Sequence, residues 1–110
     1  MSNLIPIAEK YFSYFRNKEI QLLKKLFSKN INLRDWEINI SGLDNVIEQN
    51  MKIFESLDKF ELQIIKLYQS ENVIFGEINI ILKNNEIIKV LDKIVFDEEC
   101  KIREIIAFKG

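Results

Sequence analysis

Three polar side chains occupy positions where the hydropathy pattern of this chain expects apolar ones. Asp92 lies on the apolar face of the alternating run 87–96, and Asp35 ends a shorter alternating run, 31–35. Tyr11 lies near the centre of the apolar stripe of the first helical segment. Carboxyl groups act in enzymes as general acids and bases, and phenols donate hydrogen bonds to developing oxyanions. The chain therefore supplies a phenol and two carboxyl groups, each on an apolar face of a different element.

Burial would be costly for Asp92 if its carboxylate stayed ionised. Full burial can raise the pKa of a carboxyl group by roughly 3–5 units, which corresponds to about 4–7 kcal/mol. The total stability of a domain of this size is roughly 5–15 kcal/mol. Asp92 must therefore be neutral, paired with a cation, or open to a water-filled cavity.

Each of these residues also has a purely structural interpretation. Asp35 could end a strand and cap a turn, and Asp92 could pair with a lysine or arginine in the core. Tyr11 could be a core aromatic residue whose hydroxyl finds a partner. Asn50 interrupts the apolar stripe of a later helix and could be a satisfied core amide. The pattern alone leaves both kinds of interpretation open.

Composition excludes several classes of site and function. The chain carries 16 Lys+Arg and 17 Asp+Glu, a near-neutral balance that argues against a nucleic-acid-binding protein. The absence of histidine excludes His-based metal sites and Ser–His or Cys–His nucleophiles, and a single cysteine excludes an internal disulfide. The sequence contains no phosphate-loop, dinucleotide or metal motif, so we expect no cofactor and no metal.

Length and the N-terminal segment bound the organisation of the chain. The 110 residues suit a single domain over 1–110, and one Pro and three Gly leave little material for a linker. Segment 1–10 has neither a basic head nor a long apolar run. We therefore expect no signal peptide and no contact with a membrane, and a soluble protein of the cytoplasm.

The spacing of apolar residues predicts helices in the first half of the chain and strands in the second. Of the 20 isoleucines, 12 lie after residue 60, and β-branched residues fit a sheet better than a helix. The polar turns between these strands are short enough to join only antiparallel neighbours. The predicted elements are the helices Leu4–Arg16, Glu19–Phe27 and Leu43–Leu57, the short strand Ile31–Trp36, and the strands Phe60–Tyr68, Val73–Leu82, Ile87–Phe96 and Ile102–Phe108. The predicted fold class is therefore α+β.

The order of these segments resembles that of the nuclear-transport-factor-2-like superfamily. The similar segments are the helix pair Tyr11–Phe27, the strand Ile31–Asp35, Gly42 at a helix start, and the strands Val90–Phe96 and Lys101–Phe108. Within the superfamily, the spacing is most similar to the branch of ketosteroid isomerases and SnoaL-like polyketide cyclases. The resemblance implies three N-terminal helices packed on a curved antiparallel sheet, a cystatin-like roll that encloses a cone-shaped pocket.

The same resemblance implies roles for individual residues. Asp35 falls on the position of the general base, Tyr11 on that of the oxyanion-hole tyrosine, and Asp92 on that of the protonated aspartic acid. The residues expected to contact the substrate are Trp36, Asn50, Tyr14 and Phe54. The implied reaction is a cofactor-free isomerisation or cyclisation that begins with proton abstraction next to a carbonyl. The implied ligand is a small apolar or cyclic carbonyl compound.

Two other functions fit the same pattern: a non-catalytic pocket for a small apolar ligand, and a domain used for association. The face of the sheet that the helices leave uncovered should be apolar. Its predicted members are Ile65, Leu67, Val73, Phe75, Leu91, Val95 and Ile105. An exposed apolar patch of this size usually marks an interface, so we expect a homodimer formed through the outer face of the sheet.

Overall fold

Helices dominate the first half of the structure and strands the second, as the change in apolar spacing predicts. The computed structural model describes residues 3–110. Its elements, in chain order, are α1 Ile5–Arg16, α2 Ile20–Leu26, β1 Phe27–Arg34, β2 Asn39–Ser41, α3 Leu43–Ser56, β3 Phe60–Ser70, β4 Val73–Leu82, β5 Ile87–Phe96 and β6 Ile102–Lys109. The predicted α+β class is confirmed.

The six strands form one curved, open sheet in the order β2-β1-β6-β5-β4-β3. Strands β3 to β6 form an antiparallel meander, because their connections are too short to allow any other pairing. The prediction of an entirely antiparallel sheet is wrong at one place, since β1 pairs with β6 in parallel. The chain between these two strands runs through α3 and the first three strands of the meander. A connection of that length permits parallel pairing.

Strand β1 begins and ends earlier than the sequence predicts. Phe27 does not close the second helix but opens β1, where it pairs with Ile102 of β6. The strand ends at Arg34, and a three-residue strand that was not predicted, β2, pairs antiparallel with its second half. Asp35 and Trp36 therefore lie in the turn between β1 and β2, not in a strand.

The helices pack on one face of the sheet and bury the core against it. The largest fully buried side chains are Phe12 of α1, Leu23 of α2, Val46 of α3, and Ile31, Ile74, Ile94, Phe96, Ile102 and Ile105 of the strands. Gly76 of β4 allows α1 to approach the sheet, because a Cβ atom at this position would lie 2.8 Å from Cζ of Phe12. Carbon atoms do not pack that closely, so a glycine is required beneath the Phe12 ring.

Lys18 fixes the C-terminal end of α3. Its ammonium donates hydrogen bonds to the carbonyl oxygens of Phe54 and Asp58, both at 2.9 Å, and to that of Leu57. The last carbonyl groups of a helix have no partner within the helix, and a cation there also complements the helix dipole. The end of α3 is thereby tied to the segment that joins α1 and α2.

The exposed apolar residues on the face of the sheet that the helices do not cover differ from the predicted set. Among its predicted members, Ile65 and Leu91 are exposed, Val73 and Phe75 are half-buried, and Val95 is buried. Two exposed aromatic residues that were not predicted, Tyr68 and Phe108, also belong to this face, since they pair with Phe75 and Leu91. The exposed apolar part of this face therefore includes Ile65, Leu91, Tyr68 and Phe108.

Leu67 and Ile105 face the core instead, because their strands are irregular nearby. Strand β3 has a bulge after Ile64, so the residues beyond it change faces, and Leu67 packs on the core side. Strand β6 has an extra residue, Arg103, opposite β5, and this shift in register returns Ile105 to the core. A strict period of two cannot anticipate either irregularity.

Candidate functional site

A cavity of about 340 Å³ lies between α1, α3 and the sheet. Most of its wall is apolar, and the apolar lining includes Phe12, Phe15, Ile53, Leu62, Ile78, Val90 and Ile105. The polar or partly polar residues that line it are Tyr11, Asp35, Trp36, Glu37, Asn50, Ser56 and Asp92. An apolar pocket with a few convergent polar groups is the usual form of a small-molecule site.

Asp92 contributes a buried carboxyl group to this cavity from the middle of β5. Its side chain is 6% exposed, and its cross-strand neighbours are Gly76 on β4 and Ala107 on β6. The Phe12 ring packs over Gly76, so an apolar side chain lies beside the carboxyl group. The core ion pair considered from the sequence is not formed, because the two ion pairs found within residues 3–110 lie at the surface and involve other residues.

The environment of Asp92 favours its neutral form. Burial raises the pKa of Asp92 from 3.8 to about 7, since the apolar surroundings penalise the charged carboxylate. Near neutral pH a large fraction of the molecules therefore carries the protonated acid. In that form the carboxyl group is a hydrogen-bond donor.

Tyr11 contributes a buried phenol from α1. Its ring packs against Phe12 at a centroid distance of 5.1 Å and against Phe15 and Phe27 at 6.2 Å each. Burial raises the pKa of Tyr11 well above its usual value, and the nearby Asp92 carboxylate raises the pKa further. The phenol therefore remains protonated and can donate a hydrogen bond.

The polar atoms of Tyr11 and Asp92 are open to the cavity. Neither side chain has a hydrogen-bond partner within residues 3–110, and no side-chain nitrogen or oxygen in this range is both fully enclosed and unpartnered. Because both residues line the cavity, their free polar atoms must be reached from it. Two hydrogen-bond donors are therefore available to a ligand from two different walls.

Asp35 lies in the turn between β1 and β2 and also lines the cavity. Its Oδ1 accepts hydrogen bonds from the backbone N–H groups of Glu37 at 2.7 Å and Ile38 at 2.9 Å. The interpretation of Asp35 as a turn-capping residue is therefore correct, and its placement within a strand is wrong. Its second oxygen, Oδ2, has no hydrogen-bond partner in the described part of the chain. The side chain can cap the turn with one oxygen and contact a ligand with the other.

Trp36 and Asn50 line the cavity from different elements. Trp36 follows Asp35 in the turn and is 47% exposed, and the Lys109 ammonium lies 5.6 Å from the centroid of its ring. Asn50 lies on α3 and is 3% exposed, and its Nδ2 donates a hydrogen bond to the carbonyl oxygen of Val46 at 3.0 Å. Trp36 therefore contributes to the rim of the cavity and Asn50 to its interior wall.

Tyr14 and Phe54 do not line this cavity. The lining face of α1 carries Tyr11, Phe12 and Phe15, and Tyr14 lies about 60° from Tyr11 on the opposite side from the other two. Phe54 is buried in the core, where its ring meets that of Phe15 edge-on at a centroid distance of 5.1 Å. Neither residue is therefore among those that the structure brings together at the cavity, and their contact with a substrate stays a prediction.

Glu37 and Ser56 line the cavity without having been predicted. Glu37 lies in the turn that holds Asp35, and that turn depends on the pairing of β2 with β1. Ser56 is in the last turn of α3, where its Oγ donates to the carbonyl oxygen of Ile53 at 2.9 Å. Neither residue interrupts an apolar pattern, so the sequence contains no signal that would single it out.

Within residues 3–110, no three acidic or cysteine side chains come together in a group that could hold a metal ion. None of the helices in this range is both long enough and apolar enough to cross a membrane. The polar groups of the cavity are therefore the chemically notable feature of the described chain.

Comparison with known proteins identifies the fold. No model of a protein family matches the sequence, and no curated protein is significantly similar to it. Solved structures do match, among them an NTF2-like protein of unknown function from Cytophaga hutchinsonii. That structure has a TM-score of 0.82 and 12% sequence identity, and the match covers 100% of this chain and 92% of the other.

Two further structures carry names that suggest an activity. A proposed ketosteroid isomerase from Kribbella flavida matches with a TM-score of 0.86 and 14% identity, over 97% of this chain and 77% of its own. A proposed SnoaL-like polyketide cyclase from Shewanella putrefaciens matches with a TM-score of 0.85 and 13% identity, over 99% of this chain and 80% of its own. At such low identities the likeness establishes the fold alone. The chain has the nuclear-transport-factor-2-like fold, as the resemblance of its segments predicts.

Proposed function

We propose that this protein binds a small cyclic carbonyl compound in the cavity and abstracts a proton from the carbon next to the carbonyl. The observation that carries the proposal is the pair of unpartnered donors, Tyr11 and neutral Asp92, in a largely apolar cavity that Asp35 also lines. Donors aimed at a site from which water is largely excluded stabilise a developing oxyanion more strongly than they would in water. The names of the structural neighbours from Kribbella flavida and Shewanella putrefaciens support the same class of chemistry.

The reaction begins with Asp35. Its free Oδ2 accepts the proton, the C–H bond breaks, and the electron pair moves into the carbonyl group to give an enolate. The Tyr11 hydroxyl and the Asp92 acid donate hydrogen bonds to the enolate oxygen. Where the substrate carries a β,γ C=C bond, return of the proton from Asp35 to the γ-carbon completes an isomerisation. In a cyclisation, the enolate carbon attacks a second carbonyl group, and the alkoxide oxygen that forms takes the proton back from Asp35. No oxidant, reductant or cofactor is needed for either outcome.

The size of the cavity favours a small ligand. Small-molecule pockets measure roughly 300–1,000 Å³, and the cavity of about 340 Å³ lies near the lower limit. Its lining is apolar apart from the named polar groups, which suits fused or single rings. We therefore propose a substrate of one or two rings.

The function can be tested by deuterium exchange, which reports proton abstraction without requiring the natural substrate. Cyclohexanone, 3-cyclohexenone and 2-tetralone would be incubated with the protein in D₂O, and exchange next to the carbonyl would be followed by NMR. We expect exchange above the buffer rate for at least one ketone. Asp35→Asn should reduce the protein-dependent rate by at least about 100-fold, because the general base is lost.

Asp35→Asn is a clean variant because its side-chain oxygen can still accept the hydrogen bonds from Glu37 and Ile38 that shape the turn. Glu98→Gln is the control, since it removes an exposed carboxyl group that does not line the cavity, and its exchange rate should match that of the wild-type protein. Ligand binding without any exchange would replace the proposal with the second candidate function, a non-catalytic binding pocket. The turn-capping role of Asp35 Oδ1 is the observation that favours this second candidate.

We further propose that a second copy of this chain covers the outer face of the sheet. An exposed apolar row crosses this face from β3 to β6 and consists of Ile65, Leu91 and Phe108. Glu77 of β4 interrupts the row beside Leu91, and Lys66 of β3 pairs with Glu77. Four strands of ten residues present roughly 600 Å² of projected area, which is close to what each partner of a stable dimer contributes. In a two-fold arrangement the acidic and basic groups of one copy can face those of the other.

A further inference from the structure

The side-chain oxygen of Asn50 is a hydrogen-bond acceptor that the cavity presents from α3. The amide nitrogen, Nδ2, donates to the carbonyl oxygen of Val46 at 3.0 Å. A carbonyl oxygen can only accept, so the nitrogen and not the oxygen of the amide must face Val46. The orientation of the amide is thereby determined, and Oδ1 points away from Val46.

Nothing in the described chain donates a hydrogen bond to Oδ1 of Asn50. The hydrogen bond to Val46 is the one that the side chain of Asn50 forms within residues 3–110. No side-chain nitrogen or oxygen in that range is both fully enclosed and unpartnered, so Oδ1 must be reached from the cavity that Asn50 lines. A polar atom in a residue that is only 3% exposed is costly to leave without a partner.

The three buried polar residues of the cavity offer a ligand both hydrogen-bond donors and a hydrogen-bond acceptor. Tyr11 and neutral Asp92 offer hydrogen-bond donors from α1 and β5, whereas Asn50 offers an acceptor from α3. A ligand with a carbonyl oxygen alone would satisfy the donors and leave the acceptor unpartnered. A ligand that also carries a hydroxyl or N–H group at another position would satisfy all three residues.

We propose that Asn50 is a specificity-determining residue whose Oδ1 accepts a hydrogen bond from a hydroxyl or N–H group of the substrate. The substrate class is then a hydroxylated or N–H-bearing cyclic carbonyl compound, not a plain cyclic ketone. This inference rests on the proposed function for the carbonyl end of the ligand. Asn50 is only 3% exposed, and an unpaired charge is costly at such a buried position, so the donor that meets Asn50 is a neutral one.

The test uses naphthols, because a phenol-type oxygen on a planar ring imitates an enolate. Isothermal titration calorimetry would compare 2-naphthol with a set of dihydroxynaphthalenes and with the monomethyl ether of each. We expect at least one dihydroxynaphthalene to bind the wild-type protein about tenfold more tightly than both 2-naphthol and its own ether. The ether preserves the shape but cannot donate, so this comparison isolates the hydrogen bond.

Asn50→Leu should reduce that preference to about twofold or less while 2-naphthol binds at least as tightly as before. Asn45→Leu is the matched control on α3, and it should retain the tenfold preference. The amide nitrogen of Asn45 also donates to the carbonyl oxygen four residues earlier, that of Ser41, at 3.0 Å, but Asn45 is exposed and does not line the cavity. If Asn50→Leu does not fold, the affinities of the wild-type protein for each diol and its ether still test whether the ligand donates a hydrogen bond. Equal affinities for every diol and its ether would overturn the inference.

Failure of this inference differs from failure of the proposed function. If 2-naphthol binds, and binds more weakly to Tyr11→Phe, the donors act as proposed, and equal binding of diols and ethers refutes only the role of Asn50. If no naphthol binds, or if Tyr11→Phe changes nothing, the proposed function fails and this inference fails with it.

Discussion

Tyr11 and Asp92 face one cavity from α1 and β5, yet they do not hydrogen bond to each other. They are close enough that the Asp92 carboxylate contributes to the raised pKa of Tyr11. A direct hydrogen bond would consume a donor and leave only one for a ligand. Because the bond is not made, both groups remain available, and their positions are fixed by a packed helix and a central strand. Fixed, unpartnered donors are the arrangement that stabilises a developing oxyanion at least cost in reorganisation.

Tyr11→Phe should weaken binding of 2-naphthol about tenfold or more, and lower any protein-dependent exchange about 10²–10³-fold, because one donor to the ligand oxygen is removed. The free energy of unfolding should stay the same or rise, since the hydroxyl has no protein partner to lose. Calorimetry and urea denaturation measure the two effects. Tyr68→Phe, on the exposed outer face, is the control and should change neither. A large loss of stability in Tyr11→Phe would show that the hydroxyl is structural.

Asp92 should make the protein less stable as the pH rises from about 4 to about 7. The unfolded chain releases this proton near its usual pKa of 3.8, whereas the folded protein retains it up to about 7. Between these values the folded state binds more protons than the unfolded state, so stability falls with increasing pH. Each unit of difference in pKa corresponds to about 1.4 kcal/mol, so the total loss is about 4 kcal/mol. Urea denaturation at intervals from pH 4 to pH 8 measures it.

The matched variant for this pH dependence is Asp92→Asn, which keeps the shape of the side chain and cannot ionise. Its stability relative to the wild-type protein should increase steadily across the same pH range. Glu98→Gln removes an exposed carboxyl group between β5 and β6 and should leave the wild-type profile unchanged. Parallel profiles for the wild-type protein and Asp92→Asn would contradict the raised pKa of Asp92.

The parts of this structure that sequence reasoning predicted correctly are those that depend on local periodicity. The alternation of β5 placed Asp92 on the core face, where the structure has it, and helical spacing placed Tyr11 and Asn50 on buried faces. The composition and order of the segments predicted the α+β fold. Each of these inferences needs only the spacing of apolar residues within one element.

The errors arose where one element depends on another. The alternation of 31–35 predicts a strand through Asp35, because the turn to β2 exists only through pairing between β1 and β2. The parallel pairing of β1 with β6 joins segments about seventy residues apart, and no local pattern encodes it. Leu67 faces the core because β3 has a bulge after Ile64. Tyr14 lies outside the cavity because the position of α1 on the sheet determines which of its faces lines the cavity. Tertiary packing decides all of these features.

Gly76→Ala should destabilise the protein by about 1–3 kcal/mol. The added Cβ would lie 2.8 Å from Cζ of Phe12 and 3.2 Å from Cδ2 of Leu67, both in the packed core, so one of these side chains must move. Because Phe12 follows Tyr11 on α1 and lines the cavity, affinity for 2-naphthol should fall as well. Urea denaturation and calorimetry test both effects. A stability equal to that of the wild-type protein would show that Phe12 and Leu67 move without cost.

Leu91→Glu should convert the proposed dimer into a monomer. Leu91 is 38% exposed at the centre of the outer face, between Glu77 and Phe108 on the neighbouring strands. A two-fold interface brings this position of each copy close to the same face of the other, so an added carboxylate beside Glu77 would place four acidic groups in one buried patch. Sedimentation velocity at micromolar concentration should give a dimer for the wild-type protein. Met51→Glu, which exposes the same new charge on α3, should remain dimeric, and a monomeric wild-type protein would refute the assembly.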